Sequence, residues 1–338
     1  MEETHHFELE SPSGYKFRSL YIIKYIERGN SPRRNISGSF YIGHPKTRNP
    51  MEACTTITVQ YPESVLEFEE KYQRPSLIDP TIASLVLTKY SPACAENRPL
   101  LGGEGTIDMI TSAMSLVKQL CPFVKEFDLN DASSKQCDNG SSISLPYFYL
   151  TNHHKTWYEA KFNARLKPDT LMESYQQSLC SLLESPLEPF DIFQARFLSR
   201  VSQVLKDAIR QSYEKADTVD TFFKQLYEQH GTKMVCMLLQ GWIDEYMRLM
   251  KMEPFVKHYK WYISAESIPI QRFRNEKKAH RSTRKRNNHV CRRTLWNENN
   301  QKGSGRRRRS CGPQVRTPPA PPAIGKHGTS LCCSLSYR

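Results

Sequence analysis

Hydrophobic and polar positions in the first half of the chain predict a strand, a helix and a second strand. Residues 82–90 are apolar and β-branched between two turn-forming X–Pro pairs, which predicts a strand. From Ile107 to Cys121 apolar residues recur at spacings of three and four, which predicts a helix that Pro122 ends. Residues 123–129 then alternate and predict a second strand, expected to lie parallel and next to the first.

The residues before this unit have the pattern of further strands. Residues 15–26, 36–42 and 54–61 are rich in aromatic and β-branched side chains, so a strand is predicted at each. Residues 1–14 are polar and are expected to be frayed. The stretch 65–72 fits either a helix or a strand.

From residue 168 onward the periodicity is that of helices only. Thr170 and Glu173 have the spacing of a capping box, and Gly231 is placed to end a helix. Four helices are predicted, over residues 170–182, 190–208, 219–230 and 233–251.

Together these patterns predict an α+β fold in three parts. Residues 1–166 are expected to form an α/β domain, and residues 167–269 a helical subdomain that covers one face or edge of it. Residues 270–338 lose the apolar periodicity and carry arginine runs between Asn, Ser, Gly and Pro, which predicts a disordered tail.

The positive charge of the chain is concentrated in this tail. Of 48 Lys and Arg, 18 lie in residues 270–338 with two acids, which gives 18 − 2 = +16. The remainder holds 30 bases and 33 acids, so its net charge is −3. The tail is therefore the predicted contact for nucleic acid, or a nuclear import signal. The alternative is a solubilising or accidental extension.

The cysteines and the N-terminus bear on the cellular compartment. The ten cysteines include no Cys-x-x-Cys pair, which argues against a zinc ribbon or a redox motif, and no metal site is predicted. No apolar segment resembles a secretory signal or is long enough to cross a bilayer. The simplest interpretation is a protein with free thiols and no membrane partner in the cytoplasm or nucleus of a eukaryotic cell.

Three glycines between the first predicted strand and the helix form a candidate phosphate site. Gly102, Gly103, Gly105 and Thr106 lie where the helix begins, and a helix N-terminus offers free N–H groups and a positive dipole end. Glu104 lies inside the same loop, where its charge would oppose a phosphate. The alternative is a tight turn without a ligand, since a short Gly-x-Gly is a weak signal by itself.

The order strand, Gly-x-Gly loop, helix, strand, followed by Trp157-Tyr-Glu-Ala-Lys-Phe162, resembles the GNAT N-acetyltransferase superfamily. Within that superfamily the chain most resembles the divergent GNAT-like proteins of large eukaryotic DNA viruses. The resemblance covers residues 15–166. It implies a mixed, mostly antiparallel sheet flanked by helices, with acetyl-CoA bound at the glycine loop. The family has Gln or Arg where this chain has Leu100, and the nearest arginine is Arg98.

The resemblance also implies a role for Tyr158, which lies where a GNAT protein often has the tyrosine that protonates the leaving thiolate. The alternative is an aromatic side chain that packs the helix onto the sheet. A general base is not evident. Asp128 and Asp131 end the second strand, but acids in such positions are usually solvated, and His153 and His154 fit two loop histidines better.

Two functional hypotheses follow. The first is an acetyl-CoA-dependent N-acyltransferase that acts on an amine, and the second is a catalytically inactive GNAT-like scaffold with a nucleic-acid-binding or nuclear-targeting tail. A parting of the two parallel strands beside the glycine loop would favour the first. Under that hypothesis Gly105→Val is expected to abolish coenzyme A binding and to leave the fold largely intact.

Overall fold

The structure, a computed structural model, describes residues 2–26, 34–43, 52–73 and 76–275. The described residues belong to one compact unit, Met1–Ala279. The predictions for the basic tail beyond residue 275 lie outside the described residues.

A mixed sheet of nine strands forms the centre of the described part, in the order β11-β1-β2-β3-β4-β5-β6-β10-β9. Neighbours are antiparallel except for the pair β5 and β6, so the α+β prediction with a mostly antiparallel sheet is confirmed. The strands are β1 Glu2–Glu10, β2 Lys16–Ile26, β3 Arg34–Gly43, β4 Ala53–Gln60, β5 Ile82–Thr88, β6 Glu126–Leu129, β9 Arg165–Leu166, β10 Trp261–Ser264 and β11 Phe273–Asn275. A separate hairpin pairs β7 Ser134–Gln136 with β8 Ser142–Ser144.

The first strand corrects the prediction that residues 1–14 are frayed. β1 pairs with β2 along its whole length, from Glu2 opposite Lys24 to Glu10 opposite Lys16. Its polar residues occupy the exposed positions, whereas Phe7 and Leu9 are buried in the core. The short apolar alternation at the end of β1 was too weak to predict a strand, and pairing with a long apolar neighbour stabilises it.

The predicted strand–helix–strand unit is present. β5 and β6 are parallel neighbours, with Ile82 opposite Glu126 and Leu85 opposite Leu129. Between them the helix α2, Glu104–Leu120, places a continuous apolar face, including Met109, against the core. The second strand begins at Glu126, three residues later than predicted.

Most of the helices lie in the segment of the chain that separates β6 from its sheet neighbour β10. The described α-helices are α1 Pro62–Tyr72, α2 Glu104–Leu120, α3 Leu145–His153, α4 Trp157–Phe162, α5 Asp169–Glu184, α6 Phe190–Phe197, α7 Gln203–Tyr213, α8 Val219–Leu239 and α9 Ile243–Leu249. The expectation of helix alone between residues 168 and 269 is wrong, because β10 pairs with both β6 and β9. β11, in the first residues of the segment predicted as the tail, pairs with β1. None of the described helices has the length and apolar character needed to cross a bilayer.

Helix boundaries differ from the predicted ones at turn residues. The helix predicted over 190–208 is broken between α6 and α7, where the chain turns at residues 198–202. Gly231 has φ of 68° and kinks α8, close to the predicted end of a helix. A capping box is found at Thr218 and not at Thr170, because α5 begins one residue earlier, after Pro168.

Two disulfides correct the expectation that the cysteines are free thiols. Cys54 of β4 is bonded to Cys94, and Cys137 in the β7–β8 turn is bonded to Cys236 of α8. The partners are 40 and 99 residues apart in the chain, so no local spacing motif could reveal them. The second bond ties the helical insertion to the hairpin that follows β6.

Candidate functional site

The connection from β5 to α2 places the predicted glycines at the start of the helix. Gly103 is the N-cap of α2, with φ of 77° and ψ of −100°, a conformation that favours glycine. Gly102 and Gly103 are exposed, and Thr106 is half-buried in the first turn. The hydroxyl of Tyr90, at the end of β5, donates to the Leu100 carbonyl at 3.0 Å and holds the loop close to the strand.

Gly105 has a different role from the other glycines. It is buried inside α2, and a Cβ there would lie 2.9 Å from Leu100 Cδ1 and 3.5 Å from Tyr15 Cζ. Leu100, at the position where the sequence resemblance led us to expect Gln or Arg, is therefore a packing residue against the helix. Arg98 is directed away, because it donates to the Ser13 carbonyl and lies over the Tyr15 ring.

Gly105→Val is expected to destabilise the fold, which reverses the expectation drawn from the sequence. Overpacking of this kind costs about 1–3 kcal/mol of the free energy of unfolding, measured by urea denaturation. Gly102→Val is the matched control, because a side chain at residue 102 meets only the Tyr90 ring, at 3.9 Å. Equal stability of the two variants would contradict this assignment.

β5 continues beyond the point at which its parallel neighbour β6 ends. Pairing of β5 with β6 ends at Leu85 and Leu129, whereas β5 continues to Thr88 along β4 only. The register with β4 also steps there, from Leu85 to Leu87, so Val86 has no partner residue on either neighbour. Val86 is exposed. A bulge of this kind bends a strand, and such bulges are frequent beside active sites.

Tyr158 lies on α4, which follows β6 in the chain. Thr156 caps this helix through a capping box with Glu159. The Tyr158 side chain is buried between the Trp157 and Phe162 rings, at centroid distances of 4.8 and 5.9 Å. Burial, and then the charge of Asp131, raise the pKa of the Tyr158 phenol far above its usual value. The phenol therefore holds its proton tightly.

Asp131, two residues beyond β6, is the charged group that contributes to the raised pKa of this phenol. It is only 1% exposed, so the expectation that it is solvated is wrong. Its Oδ1 accepts from the Ser133 hydroxyl at 2.5 Å, whereas its Oδ2 is buried and accepts no hydrogen bond. Burial raises the pKa of Asp131 to about 6, against the opposing effect of the Ser133 hydrogen bonds.

Two threonine hydroxyls, one on β4 and one at the end of β5, also lack a hydrogen bond of normal geometry. Thr55 and Thr88 face each other across β4 and β5, and both Oγ1 atoms are buried without a hydrogen bond of normal geometry. Thr88 lies close enough to Tyr158 to oppose the rise of its pKa. Buried polar atoms are usually satisfied, so a group of unsatisfied atoms in one place marks a candidate ligand site.

A second carboxyl lies on the other side of α4. Glu159 accepts hydrogen bonds from the Tyr175 hydroxyl at 3.0 Å and from the Thr156 N–H at 3.2 Å. Burial raises the pKa of Glu159, and these bonds oppose the rise. Because its oxygen is already engaged by two donors, Glu159 is a structural group.

A surface cleft of about 470 Å³ lies between α2, α4 and residues 267–269. Its lining includes Lys155, Glu159 and Lys161, and it does not include Asp131 or Tyr158.

The structure thus brings together some of the predicted residues. Tyr158 lies near Asp131 and Thr88, which follow β6 and end β5. The nearest side chains to Gly102 and Gly105 are those of the β5–α2 connection and Tyr15. Thr55, Thr88 and Val86 were missed by the sequence analysis. Threonine and valine are ordinary strand residues, and only the register identifies them.

Comparison with family models, curated proteins and solved structures found no match for this chain, so the site is interpreted from its own geometry.

Proposed function

We propose that this protein is an acetyl-CoA-dependent N-acyltransferase built on a GNAT-like sheet. The observation that carries the proposal is the part of β5 after Leu85, which continues beyond the end of β6 at Leu129 and bulges at Val86. Peptide groups of β5 that no residue of β6 pairs with are available to a thioester and its pantetheine arm.

The order of the strands supports the GNAT-like description. Antiparallel strands β1 to β5 lead to one parallel pair, whose connection passes through a glycine loop and α2. Beyond β6 the sheet continues with β10 and then β9, both antiparallel to their neighbours. The sequence resemblance implied a mixed sheet of this kind.

Acyl transfer in this site begins with attack of the amine nitrogen on the thioester carbonyl carbon. An oxyanion develops on the carbonyl oxygen, and in this proposal a peptide N–H after Leu85, where pairing with β6 has ended, stabilises it. The exposed N-terminus of α2 at Gly102 and Gly103 provides N–H groups and dipole for the pyrophosphate. Glu104 in the first turn opposes that charge and weakens binding.

Gly102→Glu is expected to weaken acetyl-CoA binding tenfold or more, because it adds a second negative charge at the start of α2. Titration calorimetry on the full chain measures the effect. Gly102→Gln is the matched control, with a side chain of nearly the same size and no charge, and it should bind much more like the parent. Since a side chain at residue 102 meets only Tyr90, both variants should keep the parent's melting temperature.

A specific observation favours a second function, an inactive scaffold whose partners bind elsewhere. Leu100 fills the space beside Gly105, and Tyr158 and Asp131 are both buried below the surface. A parent chain that binds neither acetyl-CoA nor coenzyme A would exclude the acyltransferase and leave the scaffold. In that case, the basic tail becomes the first place to look for a partner.

A further inference from the structure

We propose that Asp131 carries both proton transfers of acyl transfer, and that Tyr158 is a positioning residue rather than the proton donor. The proposal rests on the acyltransferase function above and deepens it. It departs from the role that the resemblance implied for Tyr158.

The geometry of Asp131 supports this assignment first. Its Oδ1 is fixed by Ser133, so the carboxylate has one orientation. Its Oδ2 is one of the few buried acceptors among the described residues that has no hydrogen-bond donor. The side chain is only 1% exposed, so bulk water does not supply that donor. A substrate ammonium group supplies the donor that Oδ2 lacks, and it is attracted by the carboxylate's charge.

The groups around Asp131 determine its proton chemistry. Tyr158 of α4 and Tyr175 of α5 both lie within the influence of its charge, and Glu159 is bound to Tyr175 on the far side. Neither phenol ionises near neutral pH, because burial raises the pKa of both. Asp131 is thus the group in this cluster whose pKa, about 6, lies close to physiological pH.

The two proton transfers then balance as follows. Asp131 carboxylate takes one proton from the substrate ammonium, and the free amine forms the C–N bond with the thioester carbon. The tetrahedral intermediate collapses, the C–S bond breaks and its electron pair stays on sulfur. Asp131 gives its proton to that thiolate, and the second nitrogen proton passes back to Asp131, which releases it to water after the products have left the site.

Proton affinity decides between the two donors. A thiol has a pKa of about 8.5, so a carboxylic acid with a pKa of about 6 protonates a thiolate downhill. A free tyrosine has a pKa of about 10, and burial raises the pKa of the Tyr158 phenol above that value. Transfer of a proton from this phenol to the thiolate is therefore uphill. Tyr158 is instead a buried neighbour that keeps its proton and interacts with the charge of Asp131.

Full-length parent, Asp131→Asn and Tyr158→Phe are compared with acetyl-CoA and methylamine, the smallest primary amine, by following loss of the thioester. Asp131→Asn should lower kcat/KM by about 100-fold or more and remove the inflection near pH 6 in its pH profile. Tyr158→Phe should lose less than about tenfold and keep that inflection. Asp128→Asn, on β6 three residues before Asp131, is the control for loss of a buried carboxylate and should also keep the inflection.

Calorimetry with acetyl-CoA separates the two levels of failure. If the parent does not bind acetyl-CoA, the acyltransferase function fails, and this assignment fails with it. If the parent binds acetyl-CoA but does not accelerate methylamine acylation, the acyltransferase function is overturned together with the role of Asp131. If the parent acylates methylamine and Asp131→Asn keeps the parent profile, only the role of Asp131 is overturned. A 100-fold loss in Tyr158→Phe would return the proton donor to the tyrosine.

Discussion

Replacing both Cys137 and Cys236 with serine is expected to lower the free energy of unfolding by about 4–5 kcal/mol relative to the parent. The bond closes a loop of 99 residues. A cross-link lowers the conformational entropy of the unfolded chain, and this effect grows with the length of the closed loop. It also fixes the helical insertion to the β7–β8 hairpin, so its loss frees a large part of the chain. Guanidinium denaturation at pH 7 without reductant measures the difference.

The second disulfide provides the control for this mechanism. Cys54 and Cys94 close a loop of 40 residues, for which the same relation gives about 4 kcal/mol. Its removal should therefore be slightly less damaging, and mass spectrometry of the intact parent under non-reducing conditions should find both bonds. A parent whose stability does not change on full reduction would contradict the role given to both bonds.

Asp131→Asn is expected to raise the free energy of unfolding, relative to that of the parent, by more at pH 7.5 than at pH 4. The pKa of Asp131 is raised to about 6 in the folded chain from 3.8, so the folded state binds the proton more tightly than the unfolded state. The stability of the parent therefore falls as the pH rises from about 4 to 6, by about 3 kcal/mol for this group alone. Asparagine does not titrate, so the variant lacks this fall.

The measurement is the difference in free energy of unfolding between variant and parent at the two pH values. Other titrating groups cancel in that difference, because both chains contain them. Asp128→Asn is the matched comparison, since Asp128 is bonded to Lys260 at 2.6 Å and its loss should destabilise the chain at pH 7.5. A difference for Asp131→Asn that does not grow with pH would show that this carboxyl is not held in a desolvated site.

The central unit could be predicted because its information is local. Residues 82–129 contain a β-rich segment, a glycine loop, a helical periodicity and a second alternating segment in sequence, and the structure has β5, α2 and β6 in that order. The strands that pair far along the chain could not be predicted in this way. β10 is only four residues long, and its role depends on β6 and β9 as neighbours.

The chemistry of the site was less accessible than its position. The sequence identified Asp131 as a residue at a strand end, but its burial depends on tertiary packing around the end of β6. Gly105 belongs to the same Gly-x-Gly as Gly103, and only the space taken by Leu100 distinguishes a packing glycine from a capping one. The same limit applies to Val86, whose unpaired state is a property of three strands together.

The placement of β10 has a consequence for the order of events during synthesis on the ribosome. β6 cannot acquire its second neighbour until β10 has been made, and the contact between Asp128 and Lys260 spans 132 residues. At typical elongation rates that interval lasts on the order of ten seconds. Throughout it the outer edge of β6 presents unpaired peptide groups, which is the state in which a sheet recruits foreign strands. The nascent chain therefore depends on whatever covers that edge, a chaperone or its own emerging helices, until the sheet is closed.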